Sequence, residues 1–265
     1  MRIVGERLNA TRKTIREAIE KKDEAFIANE AKKQHEAGAD VIDVNAGMNP
    51  EREAKDMEWM LSIVENTVDT RISLDSSSGA VILANIHKVK NPPMINSITL
   101  ESKKFEDMIP VIEAREADII ALCMDDRGLP KDADMVCDNA HRLVSALEKR
   151  GVKRERIYLD PLVQSVSADS KKGVIVLETI ERIMRDIDGA NTICGLSNVS
   201  FGLPERFLVN RTFLALALGA GLSAAIVDPT DEKLMTVICV TEMLLGKDNY
   251  CRNYLTAFRK SKIVG

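Results

Sequence analysis

The pattern that most constrains the fold is a strand–helix pair that recurs eight times along the chain. Short apolar runs, such as 41–44, 71–74 and 118–123, alternate with longer segments whose apolar residues recur at helical spacing. Eight such pairs fill 265 residues, about the length that a (β/α)8 barrel needs. The sequence therefore predicts an α/β fold, a single-domain (β/α)8 TIM barrel over residues 1–265. A doubly wound sheet is the alternative, but no GxGxxG motif follows the first run.

The apolar spacing also predicts individual elements. The first strand is expected at 2–5, the fourth at 94–95, and one long helix at 11–37, ended by Gly38. Residues 76–79 are expected to cap a helix that reaches His87. The last helix is expected at 231–245, followed by a short tail.

Every predicted strand ends near a carboxylate or an amide. Asp and Asn favour turns and helix caps, which explains any one of these positions without a function. A barrel, however, brings all eight strand ends to one rim. Such a rim, without lysine, suits a neutral or cationic heterocycle with N–H donors better than it suits an anion. The strand-end residues are Glu6, Asn9, Asp43, Asn45, Asp75, Asn96, Asp125, Asp160, Asn198 and Asp228.

Composition argues against several classes of function. The five cysteines form no CxxC pair, and the three histidines are expected within helices, so neither a metal site nor a Ser-His-Asp triad is indicated. A net charge of −4 and an aromatic content of 4% argue against nucleic-acid binding. No apolar run reaches membrane-spanning length, and no signal region opens the chain. We therefore expect a cytoplasmic protein without a membrane segment.

Seven motifs, in order along the chain and mostly at the strand ends, resemble the pterin-binding barrel methyltransferases. This family comprises the methyltetrahydrofolate:corrinoid protein methyltransferases and their relatives in one-carbon demethylation systems. Each motif alone would be weak evidence for the family, but seven motifs in the same order along the chain are specific to it. The motifs are VGERLN at 4–9, IDVN at 42–45, LDS at 74–76, MINS at 94–97, LDPL at 159–162, GLSNVS at 195–200 and NRTF at 210–213.

The resemblance implies roles for residues of this chain. Asp75, Asn96 and Asp160 would hydrogen-bond the pterin ring, and Asn198 would be the catalytic residue at the reactive N5 nitrogen. Other residues are implied only as neighbours of the ligand. Gly195, Ser197 and Arg206 would line the pterin pocket, and Glu6, Asp43, Asn45 and Met124 are possible pocket residues.

The resemblance further implies transfer of a methyl group between tetrahydrofolate N5 and the cobalt of a corrinoid. Asn198 would donate a hydrogen bond to N5 without titrating itself. The corrinoid (cobalamin) is expected on a separate partner protein that docks over the rim, because the chain has no room for a cobalamin-binding domain. The sequence departs from the family at Asp125, where relatives carry Asn, and at 201–203, where they carry a more polar loop.

Three questions stay open in the sequence. A dihydropteroate synthase-like enzyme would need cations at the rim for pyrophosphate, and only Arg7, Arg127 and Arg206 are near. A non-catalytic pterin- or corrinoid-protein-binding barrel is a further alternative, in which Asn198 would only cap the following helix. Finally, the nearly continuous apolar helix at 207–218 is expected to pack on the barrel, and part of it could form a homodimer interface.

Overall fold

A computed structural model describes all 265 residues, and its central feature is a closed barrel of eight parallel strands in sequential order. The first and eighth strands pair through Arg2 with Ala224 and Gly5 with Val227, which closes the sheet. The strands are β1 (Arg2–Asn9), β2 (Val41–Asn45), β3 (Arg71–Asp75), β4 (Met94–Leu100), β5 (Asp118–Asp125), β6 (Ile157–Asp160), β7 (Asn191–Gly195) and β8 (Ala224–Val227). The predicted (β/α)8 barrel is confirmed.

Ten helices surround the barrel. No helix combines the length and apolar character that a bilayer crossing requires. The helices are α1 (Lys13–Lys21), α2 (Glu24–Glu36), α3 (Glu53–Thr67), α4 (Gly79–Asn85), α5 (Ser102–Ala114), α6 (Ala133–Glu148), α7 (Lys172–Asp186), α8 (Arg206–Gly219), α9 (Glu232–Leu244) and α10 (Arg252–Arg259).

The single helix predicted at 11–37 is wrong, because the chain breaks between α1 and α2. Lys22 adopts a left-handed conformation with φ 53°, which ends α1. Asp23 then begins α2, where its side chain accepts a hydrogen bond from the Phe26 amide at 3.0 Å. An aspartate at this position satisfies an amide that the helix itself leaves free, which favours a new start over continuation.

Two strands are longer than predicted, and the helix after β3 is shorter. β1 continues to Asn9 and β4 to Leu100, because their polar residues still pair within the sheet. α4 ends at Asn85, so His87 follows the helix rather than lying within it. The serines give α4 no side-chain cap; instead, the Gly79 amide donates to Asp107 at 2.7 Å. The tail also contains α10, which sequence reasoning missed.

The barrel interior has an apolar layer at mid-height. Seven of the eight strands each contribute one buried side chain to it, and Leu122 and Ile226 pack against it. This layer is separate from the larger apolar clusters, which fill the space between the strands and the surrounding helices. The seven residues are Val4, Val41, Met94, Ile120, Tyr158, Ile193 and Ala224.

Below this layer, the amino-terminal ends of the strands form an ion-pair cluster. The Asp118 carboxylate is nearly buried and lies 2.8 Å from Arg2 and 3.0 Å from Arg71. The Arg156 Nε lies 3.8 Å from the same carboxylate. Arg2 also donates to the Tyr158 hydroxyl and packs on its ring. This end of the barrel is therefore closed by paired charges.

Candidate active site

Above the apolar layer, five polar side chains from different strands point into the barrel. Side chains along a strand point alternately into and out of the barrel. Each of the five therefore lies two residues beyond another interior residue, which is nearer the amino-terminal end of its strand. Strand register places Asp75 beside Asn45 on one side and Asn96 on the other. The structure therefore brings together residues that the sequence had separated by tens of positions. The five are Glu6, Asp43, Asp75, Asn96 and Asp160.

Asp43 orients the amide of Asn96. The Asn96 Nδ2 donates to Asp43 Oδ1 at 3.3 Å, which leaves the Asn96 amide oxygen as an acceptor for a ligand N–H group. Ser73 is the register partner of Asp43 and is fully buried, and its hydroxyl is close enough to the Asp43 carboxyl group to lower the pKa of that group. Sequence reasoning missed Ser73, although its position two residues before Asp75 on β3 signals the same interior face.

Burial keeps two carboxyl groups of this pocket protonated at pH values at which exposed carboxyl groups would be charged. Burial, reinforced by the neighbouring Asp43 charge, raises the pKa of Asp75 to about 8. Burial raises the pKa of Asp160 to about 7, although the Leu162 amide donates to its carboxylate at 2.7 Å and opposes the shift. Neither carboxyl group is paired with a cation, so the hydrogen bonds that Asp75 and Asp160 receive do not offset the effect of burial.

Glu6 connects the pocket to the loop after β7. Burial first, and then the charge of Asp228, raises the pKa of Glu6, and Ser197 hydrogen-bonds its carboxyl group. Glu6 and Ser197 also line a crevice of about 50 Å³ that opens toward Asn210 on α8. The first strand is therefore in contact with the segment that carries Asn198.

Asn198 lies in a 3-10 turn, Leu196–Ser200, that directly follows β7. Its side chain is exposed, and Gly195 allows the close approach, because a Cβ at that glycine would lie 3.4 Å from Asn198 Nδ2. The residue that precedes α8 is Glu205, so Asn198 does not cap that helix. The amide is thus exposed beside the pocket rather than used in a helix cap.

Arg206 braces this turn from the start of α8. Its Nη2 donates to the Ser197 carbonyl at 2.8 Å, and its Nε donates to the Ser200 hydroxyl at 3.1 Å. From the other side, the Val166 amide donates to the Val199 carbonyl at 3.1 Å and joins the loop after β6 to the turn. The loop that presents Asn198 is therefore held by its neighbours on both sides.

Not every strand-end residue faces the pocket. Asp125 receives hydrogen bonds from Arg127 at 3.0 Å and Arg142 at 2.6 Å, and these guanidinium groups hold its pKa below the usual range. Arg7 lies 2.7 Å from Glu30 and 2.8 Å from Asp228. Two of the cations that sequence reasoning placed near the rim are thus already paired with carboxylates.

The remaining strand-end residues have varied surroundings. The Asn9 side chain accepts from the Thr11 hydroxyl at 2.7 Å, and the Asn45 side chain accepts from the Gly47 amide at 3.0 Å. Both therefore order the loops that follow their strands. Met124 is half-buried on β5, two residues beyond the interior residue Leu122. No group of three or more His, Cys, Asp or Glu side chains is arranged to hold a metal ion.

Comparison with known proteins defines the class of this barrel. Residues 5–228 match the model of the family described as pterin binding enzyme, from within β1 to the residue after β8. Because the match spans most of the chain, the chain belongs to the pterin-binding enzyme family. Motifs at the strand ends had predicted this membership, and it is confirmed.

Among the relatives, a protein of Eubacterium limosum is similar over its full length. This methylcorrinoid:tetrahydrofolate methyltransferase is 36% identical over 265 residues, which cover 99% of this chain and 98% of that protein. The methionine synthase of Mycobacterium tuberculosis is 28% identical over 85% of this chain, but the match spans only 20% of that much longer protein.

Solved structures show the same architecture at low identity. The Yersinia pestis dihydropteroate synthase has a TM-score of 0.68 and 16% identity, over 92% of this chain and 93% of that one. The synthase of Xanthomonas albilineans, in complex with 7,8-dihydropteroate, has a TM-score of 0.66 and 18% identity, over 90% of this chain and 93% of that one. At such identities the likeness is one of fold alone.

Proposed function

We propose that this protein is a methyltransferase that moves a methyl group between N5 of tetrahydrofolate and the cobalt of a corrinoid protein. The observation that carries the proposal is the full-length similarity to the Eubacterium limosum methyltransferase, at 36% identity over 99% of the chain. The site agrees with it, because acceptors for a pterin ring converge below an exposed amide. The whole chain, residues 1–265, acts as one pterin-binding domain.

The pterin ring binds to the carboxylates and the amide at the bottom of the pocket. Asp75 and Asp160 accept the ring's N–H groups, and the Asn96 amide oxygen is a third acceptor, oriented by Asp43. The ring's N–H groups donate hydrogen bonds to carboxyl groups that have no cation partner, so binding favours their charged forms. Other residues shape the pocket without a defined contact. These are Glu6, Asn45, Met124, Gly195, Ser197 and Arg206.

Asn198 is the catalytic residue in this proposal. When methylcorrinoid is the donor, the N5 lone pair attacks the methyl carbon, the cobalt–carbon bond breaks, and its electron pair stays with cobalt. N5 then loses its proton. In the opposite direction N5 is the leaving group and must gain positive character. Asn198 orients the N5 lone pair in the first case and donates a hydrogen bond to N5 in the second.

Positioning contributes a large part of the rate. The turn around Asn198 is held by Arg206 and by the Val166–Val199 backbone hydrogen bond, so the amide is in place before the substrates arrive. Since this pocket is filled by the pterin, the corrinoid approaches from the open end of the barrel. The corrinoid is a substrate carried by a separate protein.

A homodimer is the oligomeric state we propose. Leu216 on α8, Leu244 on α9 and Phe258 on α10 are each more than half exposed, on helices that contact one another in series. A second copy of the chain would cover this apolar face. Sedimentation equilibrium tests it: a monomer would remove the idea, and Leu244→Glu should weaken a dimer. A cytoplasmic location and the absence of nucleic-acid partners stay predictions.

The first experiment follows the visible spectrum of methylcobalamin with this protein and tetrahydrofolate under anoxic, reducing conditions. Formation of cob(I)alamin together with methyltetrahydrofolate would establish the transfer, and the reverse reaction would compare directions. Tight tetrahydrofolate binding without conversion would leave a protein-bound corrinoid requirement or a non-catalytic binder, which a methylated corrinoid protein as substrate would distinguish. No pterin binding would contradict the proposal.

A further inference from the structure

The rim beside Asn198 carries an aromatic side chain that the protein does not cover. Phe201 directly follows the 3-10 turn, and 68% of it is exposed. Its carbonyl accepts hydrogen bonds from the hydroxyls of Ser165 at 2.5 Å and Ser167 at 2.8 Å. Its amide donates to the Asn198 carbonyl at 3.2 Å. The backbone of Phe201 is therefore fixed on both sides, while its ring lies in solvent.

Gly202 completes this arrangement. It adopts φ +80°, a left-handed conformation that favours glycine, and a Cβ there would lie 3.1 Å from the Ser167 hydroxyl. The chain can therefore turn away sharply just after Phe201 while the loop after β6 stays in contact. This geometry keeps the aromatic residue at the outer edge of the loop.

Phe201 is a close neighbour of Asn198 at the rim. It directly follows the turn that carries Asn198, and the backbone hydrogen bond between them keeps the two residues together. Both side chains are exposed. A molecule that reaches the substrate atom next to Asn198 from the open end of the barrel therefore comes close to Phe201.

Isolated exposed apolar residues are common on protein surfaces and need no explanation. Phe201 differs because its backbone is fixed and its position is tied to that of the proposed catalytic amide. Two more exposed apolar side chains lie on loops at the same end of the barrel, Met48 after β2 and Leu129 after β5. The open end thus presents apolar contacts around a polar pocket.

We propose that the Phe201 ring packs against the corrin macrocycle when the methyl donor or acceptor is positioned over the pocket. This inference rests on the proposed function, and it adds a residue that recognises the second substrate. In-line transfer requires the reacting atoms to approach to about 3–3.5 Å, which brings the macrocycle over the rim. The macrocycle is broad and presents ring carbons and methyl groups between its amide side chains, so contact with it removes apolar surface of Phe201 from water.

The test uses free methylcobalamin as the probe, with the protein saturated with tetrahydrofolate. Phe201→Ala should raise the KM for methylcobalamin about tenfold, keep kcat within about twofold, and leave tetrahydrofolate affinity unchanged. Phe201→Leu, which restores an apolar side chain, should recover part of the loss. The matched control is Tyr250→Ala between α9 and α10, because Tyr250 is 93% exposed but does not lie on a rim loop.

Equilibrium dialysis of methylcobalamin gives a second readout that does not need turnover. An unchanged KM and unchanged cobalamin binding in Phe201→Ala would overturn the proposal, and so would equal losses in the Tyr250→Ala control. A lack of cobalamin binding by the unsubstituted protein would also overturn it. Phe201-dependent binding without conversion of either methylcobalamin or a methylated corrinoid protein would instead contradict the proposed function and leave this contact standing. A change in sedimentation on Phe201→Ala would assign the ring to a dimer interface and refute the proposal.

Discussion

The two ends of the barrel interior use carboxylates in opposite ways. At the amino-terminal end, Asp118 is surrounded by Arg2, Arg71 and Arg156, so its charge is balanced within the protein. At the carboxyl-terminal end, Asp160 is buried and Asp75 is half-buried, neither with a cation, and loss of solvent raises the pKa of each. Aspartate side chains thus stabilise the fold at one end of the barrel and are available to bind a ligand at the other.

Removing the carboxylate at the closed end should have the largest effect. Asp118→Ala leaves three guanidinium groups without their shared partner and should lower the free energy of unfolding by about 3 kcal/mol, since breaking a buried ion pair is strongly destabilising. Urea unfolding measures the change. Asp186→Ala, which removes an exposed ion pair with Arg185, is the control and should cost less than about 1 kcal/mol. Equal losses would show that Asp118 does not hold this end together.

At the open end, Asn198→Ala should lower turnover about 10²–10³-fold, the cost of losing a positioned hydrogen-bond donor in a transition state. Tetrahydrofolate affinity should change little, because Asn198 is exposed at the rim rather than placed among the ring acceptors. Methylcobalamin kinetics and fluorescence titration separate the two quantities. Comparable losses of turnover and affinity would contradict a catalytic role.

Asp160→Asn should weaken tetrahydrofolate binding about 10–100-fold, because hydrogen bonds to a charged acceptor contribute about 1.5–3 kcal/mol. Titration calorimetry at pH 8 measures the affinity. The rim substitution Asn198→Ala is the control, since it should leave binding intact. Unchanged binding in Asp160→Asn would remove Asp160 from the ring contacts.

Tetrahydrofolate affinity should rise about tenfold between pH 6 and pH 8. With its pKa at about 7, Asp160 is mostly protonated at pH 6 and mostly charged at pH 8, and only the charged form accepts both ring donors. Asp160→Asn should make the profile shallower and leave the part that Asp75 contributes, with its pKa at about 8, while Asn198→Ala should preserve the whole profile. A wild-type profile that is flat over this range would mean that Asp160 does not gain charge on binding.

The last prediction concerns stability and has the opposite sign to that at the closed end. Because the folded-state pKa of Asp160 is raised, ionisation of this carboxyl group costs the fold stability as pH rises to about 7. Asp160→Asn should therefore raise the free energy of unfolding at pH 8, with little change at pH 4. Thermal unfolding at the two pH values shows whether the substitution raises or lowers the stability. Destabilisation at pH 8 would show that an unseen partner stabilises the charge.

Sequence reasoning located the eight strands well, because buried parallel strands form continuous apolar runs. It ended β1 and β4 too early because their last residues are polar. Asn96 still pairs in the sheet, whereas Glu6 lies at an irregularity in the pairing of β1 with β2, and both face the barrel interior where the ligand is proposed to bind. Apolar patterning therefore fails at the points where strands become part of the site, as expected for functional positions.

Other features depended on contacts that no local pattern encodes. The ion pairs of Asp125 with Arg127 and Arg142 join a strand end to α6, and they remove one predicted rim carboxylate from the site. The orientation of Asn96 depends on Asp43, 53 residues away in sequence. The break at Lys22 could have been predicted, because Asp23 is a recognisable helix start.

The apolar layer across the middle of the barrel separates the charged groups of the two ends. Asp118 and the register partner of Asp160 are four residues apart on β5, about 13 Å at the rise of a strand, with Ile120 of the layer between them. Substitutions at the two ends should therefore combine additively. Such a division lets the chemistry of the open end diversify in evolution while the closed end continues to secure the same barrel.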